Sequence, residues 1–486
     1  MKKIVSIIFI LFNFCLNAQS LLQTEKTWIN QLNSDFSSYH HIFTFSEYDS
    51  LDLINKRIKI ELAPEIMGAY QNKKFDYNTG LKLVGKYVLN SKIQANFLYS
   101  LTYSNCQNTP YIGDLQPKTF FKNQFKDGSG LYHDVRGRIR YKANEYIQFQ
   151  TGIDKQVIGE GDRSLLFGNQ GVSNPFLMMK ANFWKFDYYS IHQIWREGTP
   201  NHYLPKANST HYLNFNVGPK FSIGIFESVV HIIKDTIYNR GYEVEYLNPL
   251  IFYRPQEYSN GSSDNVILGL NGFISWGEKI KNRLYGQFVL DDINIQEIKN
   301  KTKWWANKYG LQAGYKVWFK IKNTDFFART EINLVTPFTY SATDLSTTFS
   351  TQGLPNAHPL GSNFVESYSE LAFKIKRLEI TSWAQFYKKG NDYTGNSASN
   401  GGDIFKSYNA RSNGDFGYFI GFGETTYLFQ LGTKLSRNIT ISAQPRNLKI
   451  FIEPRLFLKK STPKIENDVF FTFGIHSDFG DNKRNY

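Results

Sequence analysis

The sequence predicts an all-β protein, an antiparallel β-barrel that spans a membrane. Three observations support this fold class: a two-residue alternation of polar and apolar side chains, an aromatic content of 16%, and tight turns that alternate with long loops. The alternation is clearest at 135–141, where arginine occupies every second position. A period of two places each set of side chains on one face of a strand. Many such strands form a wall with one apolar and one polar side.

The first 18 residues have the features of a cleaved export signal. Lys2 and Lys3 supply the positive charge, residues 4–14 form an apolar run, and Ala18 ends a small-residue cleavage site. The apolar run is shorter than the roughly 20 residues of a membrane-spanning helix, which argues against an anchor. We therefore expect an exported protein that begins at Gln19.

Residues 19–55 differ in pattern from the rest of the chain. Leu22, Trp28, Ile29, Leu32 and Phe36 have roughly the spacing of one helix face. This spacing predicts a short periplasmic helix or an irregular, plug-like segment. The barrel is then expected to occupy residues 56–486.

Strand patterns follow one another from about residue 57 onward. The clearest are Leu81–Leu89, Lys92–Ser104, Val135–Lys142, Ile147–Asp154, Leu268–Trp276, Leu284–Leu290, Phe326–Leu334, Leu371–Lys376, Tyr427–Leu435, Leu448–Lys459 and Val469–Ile475. With transmembrane strands of roughly 9–11 residues, the chain holds roughly 16–20 of them. The sequence has no period of 20–50 residues, so a solenoid or a propeller is not expected.

The predicted connections alternate in length. Asn90-Ser91, Ala143–Tyr146 and Ser436–Asn438 are expected to be tight turns, and 104–131, 337–366 and 388–414 long loops. Short turns at one end and long loops at the other are typical of outer-membrane barrels. The 31 tyrosines and 41 phenylalanines would supply aromatic girdles at the two membrane interfaces.

The interior of this barrel is predicted to be charged. An arginine that faces lipid at the middle of the bilayer costs about 2–4 kcal/mol. Arg136, Arg138, Arg140, Arg329 and Glu331 are therefore expected to form a network in the lumen. Because both signs are present, these charges can pair, and the lumen need not be an open pore.

Seven separated blocks carry a family resemblance. They are GEGDRSLLFGNQGVSNPFL (159–177), HYLNFNVGPKFSIGIFESVV (211–230), GYEVEYLNPLIFYRPQEYSNGSSDNVILGL (241–270), LYGQFVLDD (284–292), WWANKYGLQAGYK (304–316), AHPLGSNFVE (357–366) and GGDIFKSY (401–408). From about residue 55 to the C-terminus, the chain resembles the Wzi-like capsule-assembly outer-membrane proteins of the Bacteroidetes. Within that group it is most similar to the gliding-motility proteins called RemB.

This resemblance implies an outer-membrane barrel of about 18 strands with a non-enzymatic role at the cell surface. In the capsule branch that role is to hold acidic polysaccharide, and in the gliding branch it is to support surface movement. Expected partners are outer-membrane lipid, acidic surface polysaccharide, and proteins of the motility or secretion machinery. The formal charge of +14 fits anionic headgroups or an acidic glycan. Nucleic acid is not expected.

The first candidate site is the glycine-rich turn at 159–164. Its Arg163 could bind a sugar carboxylate or phosphate through the two-pronged guanidinium, with Glu160 beside it. The favoured alternative is a tight loop folded into the lumen, in which Arg163 pairs with Glu160 or with another carboxylate.

The second candidate site is a polar and aromatic segment interrupted by Pro249 and Pro255, so it cannot be a central strand throughout. Its residues are Glu243, Asn248, Tyr253, Arg254, Glu257, Asp264 and Asn265. Acids, amides and aromatic rings together suit a sugar, but a buried network that rigidifies the barrel explains them equally well.

Other candidates have weaker support from the sequence. Trp304 and Trp305 could stack on a sugar ring, but a membrane-interface belt is favoured. His358 is expected to anchor a loop through a hydrogen bond. No nucleophile elbow, zinc-binding histidine pair or paired-carboxylate motif stands out. We therefore predict no enzyme activity, cofactor or metal, and the alternative function is a solute-conducting channel.

Overall fold

The computed structural model describes most of the chain. The described residues are 42–43, 58–71, 74–105, 121–124, 129–169, 171–199, 202–233, 243–250, 252–260, 264–439, 448–461 and 464–477. The predicted leader at 1–18 and nearly all of the predicted helical segment at 19–55 lie outside these ranges.

The described chain is almost entirely β-structure. The strands are β1 (Ile42–Phe43), β2 (Ile58–Gln71), β3 (Lys74–Val88), β4 (Ile93–Ser104), β5 (Phe121–Gln124), β6 (Gly130–Lys142), β7 (Ile147–Asp154), β8 (Val157–Ile158), β9 (Asn174–Phe183), β10 (Phe186–Thr199), β11 (His202–Gly218), β12 (Phe221–Ile232), β13 (Asn265–Trp276), β14 (Lys281–Asp292), β15 (Lys308–Ile321), β16 (Thr324–Val335), β17 (Ser350–Thr351), β18 (Leu354–Pro355), β19 (Phe364–Ile375), β20 (Leu378–Asn391), β21 (Glu424–Asn438), β22 (Leu448–Ser461) and β23 (Lys464–Ser477).

Eighteen of these strands close into one antiparallel barrel, which confirms the predicted fold class. They are β2–β4, β6, β7, β9–β16 and β19–β23, and each pairs with its neighbours in chain order. The short β5 adds to the free part of β6. The barrel closes where β2 pairs with β23, from Ile66 opposite Ile475 to Tyr70 opposite Phe471.

The two faces of the wall follow the predicted alternation. On β6, Val135, Ile139 and Tyr141 are exposed on the outer surface, whereas Arg136 and Arg138 are buried on the lumen side. An apolar outer face and a polar inner face are the arrangement that lipid outside and protein inside require.

The two ends of the barrel differ as the sequence indicated. Asn90-Ser91 and 143–146 lie in tight turns at one end. The long connections from β4 to β6, β7 to β9, β12 to β13, β14 to β15, β16 to β19 and β20 to β21 start and finish at the other. The predicted turn at Ser436–Asn438 is wrong, because these residues still pair with Lys449–Phe451 and β21 continues to Asn438. Residues 388–391, predicted as loop, likewise belong to β20 because they pair with β21.

The few helical turns lie in the long loops. Two 3-10 turns cover Val244–Leu247 and Tyr408–Ala410, and two α-helices cover Tyr253–Asn260 (α1) and Ile295–Lys299 (α2). None of the helices in the described part of the chain is long and apolar enough to cross a bilayer.

Of the segment predicted to be helical at 19–55, the structure describes only Ile42–Phe43. These two residues form a strand, since they pair with Val157 and Ile158 of β8.

Candidate functional site

The loop between β7 and β9, residues 155–173, folds into the barrel and is called the lumen plug. Its Leu165, Leu166 and Phe167 are buried and share an apolar core with Trp195 and Phe226 of the wall. Phe167 meets Trp195 and Phe226 edge to face, with ring centroids 6.2 and 5.7 Å apart. The plug is therefore packed as part of the barrel core.

The acidic residues of the plug pair with basic residues of the wall. Glu160 Oε2 accepts from Arg283 at 2.8 Å. Asp162 lies 3.3 Å from the guanidinium of Arg329, and its backbone N–H donates to Glu331 at 2.6 Å. Because these charged side chains are buried, removal of either partner would leave an uncompensated charge and destabilise the folded barrel.

Arg163 is the central cation of the plug. It donates to Glu366 Oε1 of β19 at 2.9 Å, and both side chains are fully buried. Glu366 also accepts from His358 at 2.8 Å, Gln385 at 2.6 Å and Asn333 at 3.0 Å. This carboxylate therefore ties the plug, a loop and three wall strands together.

The 159–164 turn is the first candidate site predicted from the sequence. The turn lies inside the lumen, and Arg163 pairs with Glu366 rather than with Glu160. Neither Arg163 nor Glu160 reaches the surface, so in this arrangement they do not contact a polysaccharide.

His358 has a defined protonation state. The backbone N–H of Leu360 donates to Nδ1 at 3.1 Å, so Nδ1 carries no proton, and Nε2–H is left to donate to Glu366. Burial lowers the pKa of His358 below its ordinary value of 6.5. The residue is therefore a neutral anchor of loop 336–363, in line with the hydrogen bond expected from the sequence.

The predicted lumen residues are also held by partners. Arg138 contacts Asp154 at 3.2 Å and Gln150 at 2.6 Å, and Arg136 pairs with Asp134. Arg140 donates to Gln94. Arg329 and Glu331 belong to the plug contacts described above. All of them lie on the lumen side of their strands.

The segment 243–260 lies on the outside of the barrel wall and is called the outer-wall segment. Tyr253 hydrogen-bonds to His211 at 2.8 Å, and the backbone N–H of Arg254 donates to Glu227 at 3.0 Å. His211 and Glu227 face outward, since they alternate with Tyr212 and Phe226 of the lumen. The structure therefore separates this segment from the plug.

The other predicted residues of this segment are dispersed. Asn248 accepts from the N–H of Leu250 at 3.0 Å in a local turn, and Asp264 accepts from Tyr246 at 2.7 Å. Asn265 donates to the carbonyl of Thr347 at 3.0 Å. Glu243 begins the first 3-10 turn. The side chain of Glu257 lies outside the described part.

Trp304 and Trp305 belong to the loop end of the barrel. Trp305 packs against Tyr408 with ring centroids 4.9 Å apart, and the guanidinium of Arg411 covers it at 4.2 Å. Its backbone N–H donates to Asp415 at 2.9 Å. Trp305 thus joins two loops, and one of its faces is already occupied by a cation.

A cleft at the loop end is the feature that the sequence-based prediction missed. It has a volume of about 660 Å³ and lies between loops 336–363 and 392–423, above β20. It is called the loop cleft. The residues that carry its chemistry are Pro355, Lys389, Asn391, Asp392, Tyr393, Asn396, Asp403, Phe405 and Lys406.

The polar groups of the loop cleft are held in place by the backbone. Lys389 donates to the carbonyls of Leu360, Ser362 and Gly402. Asp392 accepts from the N–H of Asn400 at 2.7 Å and lies 3.3 Å from Lys406. The lining thus carries two ammonium groups and two carboxylates, and its formal charges balance.

Asn363 holds the loops that form the cleft. Its side chain donates to the carbonyls of Gly390 and Phe422 at 3.1 and 2.9 Å and accepts from Gly421 N at 2.8 Å. Its φ of 60° lies in the left-handed region, which asparagine tolerates better than most residues. One buried side chain therefore fixes β20 and both loops.

The loop cleft has the groups that recognise sugars. The ring of Tyr393 is exposed, and Phe405 is half-buried. Asp403 accepts one backbone N–H through Oδ1. Aromatic faces pack on the apolar side of a sugar ring, and carboxylates and amides bond to its hydroxyls. The described residues contain no group of three or more histidine, cysteine, aspartate or glutamate side chains that could hold a metal.

The closed 18-strand antiparallel barrel, with short turns at one end and long loops at the other, has the fold of outer-membrane β-barrel proteins. It is similar to Escherichia coli Wzi, an outer-membrane protein involved in group 1 capsule assembly and described as a carbohydrate-binding β-barrel. The TM-score is 0.54 at 11% identity, over 86% of this chain and 84% of Wzi. At this identity the likeness shows the fold alone.

Two solved structures from Pseudomonas aeruginosa are also similar in shape. Pseudomonas aeruginosa OprD matches with a TM-score of 0.47 and 8% identity, over 91% of this chain and 97% of OprD. OccK1 from the same organism matches with a TM-score of 0.47 and 6% identity, over 86% and 98%. These scores support no inference about transport. No family profile and no curated protein matches the sequence.

Proposed function

We propose that this protein is a non-enzymatic outer-membrane barrel that holds surface polysaccharide through its loop cleft. The observation that carries the proposal is the cleft itself. It combines an exposed Tyr393 with balanced carboxylates and ammonium groups, on loops fixed by buried hydrogen bonds. A preformed site loses little conformational entropy when it binds, which favours a rigid lectin-like surface.

The lumen plug supports a holding role over transport. The plug places Glu160, Asp162 and Arg163 in ion pairs with three different wall strands. Solute passage would require these buried pairs to separate, and separating a buried pair leaves charges without compensation.

The finer proposal concerns the biological setting. The seven blocks that resemble the Bacteroidetes Wzi-like proteins, together with the carbohydrate binding described for Wzi, support a role in capsule assembly or in gliding. An acidic glycan fits the net charge of +14. The charges of the cleft itself balance, so the cleft does not select for an acidic glycan. We propose that it recognises the hydroxyls and the ring faces of the sugar. The predicted contacts in 243–257 and at Trp304 and Trp305 stay predictions.

The test is glycan binding by the full chain in detergent micelles. We expect the protein to bind members of an array of bacterial surface polysaccharides, and Tyr393→Ala to weaken that binding at least tenfold. Phe416→Ala is the matched control, since Phe416 is an exposed aromatic residue of the same loop outside the cleft. Equal binding by both variants would exclude the loop cleft as the site.

The competing function is a solute channel. In planar bilayers, we expect the purified protein to give no steady ion current, because buried ion pairs hold the plug inside the lumen. A steady current together with no glycan binding would favour the channel over the polysaccharide-holding role.

A further inference from the structure

Part of the outer wall is polar where a lipid-facing wall should be apolar. On β10, β11 and β12 the outward positions carry Ser190, His192, Ser209, His211, Glu227 and His231. Five of them are buried and His192 is half-buried, although all six face the outside of the barrel. Some part of the protein must therefore cover them.

These polar residues lie at the depth of a membrane. At the turn end, Phe186 stacks on Phe215 with centroids 4.8 Å apart, beside the exposed Trp184, and these rings mark an aromatic girdle. Ser209 is six residues beyond Phe215, or about 20 Å along the strand. At the usual barrel tilt this is about 15 Å in depth, inside an apolar band about 25 Å tall.

The outer-wall segment supplies the cover. The ring of Tyr253 stacks on His211 with centroids 4.3 Å apart, and Tyr246 lies over His231 at 4.9 Å. Tyr246 and Tyr253 also pack against Val229 of the wall. The rings of Tyr253 and Tyr246 thus cover His211 and His231, and the backbone of α1 covers the carboxylate of Glu227.

The segment also reaches far down the wall. The hydroxyl of Tyr188 donates to the carbonyl of Pro249 at 2.6 Å. Tyr188 is only two residues beyond Phe186 of the girdle. Pro249 is therefore held within the apolar band and cannot belong to a loop that projects into water.

The outward side of the segment is apolar. Leu250 is 88% exposed, Phe252 74% and Val244 63%. Ile225 and Leu270, on the two strands that α1 contacts, are also exposed apolar residues of the outer surface. An exposed apolar surface on the outside of the barrel fits the same partner as the wall beside it, which is the acyl chains of the bilayer.

We propose that the outer-wall segment is embedded in the outer membrane, where acyl chains cover Val244, Leu250 and Phe252. The segment covers the polar outer face of β10, β11 and β12 and presents apolar side chains to the lipid in its place. This inference requires the barrel to lie in a membrane, and it is independent of glycan binding at the loop cleft.

The test measures what surrounds single side chains in vesicles of phosphatidylethanolamine and phosphatidylglycerol. Leu250→Cys and Phe252→Cys are made in a full chain whose Cys15 and Cys106 are replaced by serine, and each is spin-labelled. Ile225→Cys is the lipid-facing reference, and Phe416→Cys is the water-facing reference at the loop end. We expect the ratio of oxygen to nickel-chelate accessibility at Leu250 and Phe252 to match Ile225 and to exceed Phe416 at least fivefold.

Two outcomes overturn the proposal. A ratio at Leu250 equal to that at Phe416 would place the segment in water. Low accessibility to both reagents would show that protein, including a second copy of this chain, covers the segment. Glycan binding by the labelled variants is measured in parallel, so failure of this inference is distinguishable from failure of the proposed function.

Discussion

Glu366 shows how much one buried carboxylate can organise in this barrel. It accepts hydrogen bonds from Arg163, His358, Gln385 and Asn333, and it is fully buried. A buried carboxylate is tolerated only when its oxygen atoms accept hydrogen bonds from nearby donors. The four donors come from the plug, a loop and two neighbouring strands, so the position of each depends on the others.

Arg163→Met should destabilise the barrel by about 3–5 kcal/mol, because it leaves a buried carboxylate without its main cation. The free energy of unfolding in urea, measured in lipid vesicles, checks this. Lys320→Met is the control, since Lys320 forms an exposed pair 3.6 Å from Asp325. It should change stability by less than about 1 kcal/mol. Similar values for both variants would contradict the importance of burial.

The buried, neutral His358 makes stability depend on pH. Its folded-state pKa is lowered, so below pH 6.5 the unfolded chain binds a proton that the folded chain does not. His358 therefore contributes a loss of stability as the pH falls below 6.5, and no such loss above it. His358→Gln cannot titrate, and we expect its thermal unfolding temperature to fall less than that of the wild type between pH 7.5 and 5.5. Parallel pH profiles would count against this assignment.

At the scale of elements, loops 336–363 and 392–423 are fixed to the barrel and to each other by buried hydrogen bonds. Asn363 bonds to both sides of the loop cleft, and Trp305 packs under Arg411. Loops of this length are usually either functional or disordered. The buried hydrogen bonds of these loops indicate that they are functional.

Asn363→Asp should open the loop cleft while leaving the barrel closed. The substitution replaces two N–H donations with a charge that faces carbonyl oxygens, at a cost of about 1–3 kcal/mol. We expect faster proteolysis within 392–423 and loss of glycan binding. Asn363→Gly, which keeps the backbone conformation, should have a smaller effect on proteolysis. An unchanged cleavage rate in Asn363→Asp would show that other contacts hold the loops.

The sequence predicted these elements unequally, for physical reasons. Strands such as β4 and β6 were predictable because lipid and lumen impose a period of two on their side chains. The position of the outer-wall segment outside the barrel was not predicted. Where the segment covers the wall, outward positions such as His211 and Glu227 need not be apolar, so the lipid-facing pattern is lost there. The loop cleft combines residues from two loops, such as Pro355 and Tyr393, and the pairing of Arg163 with Glu366 joins residues 203 positions apart. No local pattern records such contacts.

At the scale of the whole molecule, the position of the plug determines whether the lumen conducts ions and solutes. Gly159 lies beside Gln287 with a φ of 120°, and a Cβ there would lie 1.9 Å from the amide nitrogen of Gln287. A side chain here is strained by the φ and requires Gln287 to move, and Gln287 is the residue that holds Ser164 and Leu165 of the plug.

Gly159→Val should therefore raise the ion conductance in planar bilayers from near zero to a measurable current. Gly218→Val is the matched control, because a Cβ at Gly218 meets nothing within 4 Å. The control should remain closed. A closed Gly159→Val barrel of normal stability would mean that the plug adapts without leaving the lumen.

The seam between β2 and β23 has a consequence for biogenesis. It joins the first and last barrel strands through five residue pairs among the described residues, whereas β2 and β3 share fourteen. Because this seam links the most distant parts of the sequence, its formation carries the largest loop-closure entropy and must come last. Until β23 pairs with β2, the forming sheet keeps two open edges, and open edges are sites of aggregation.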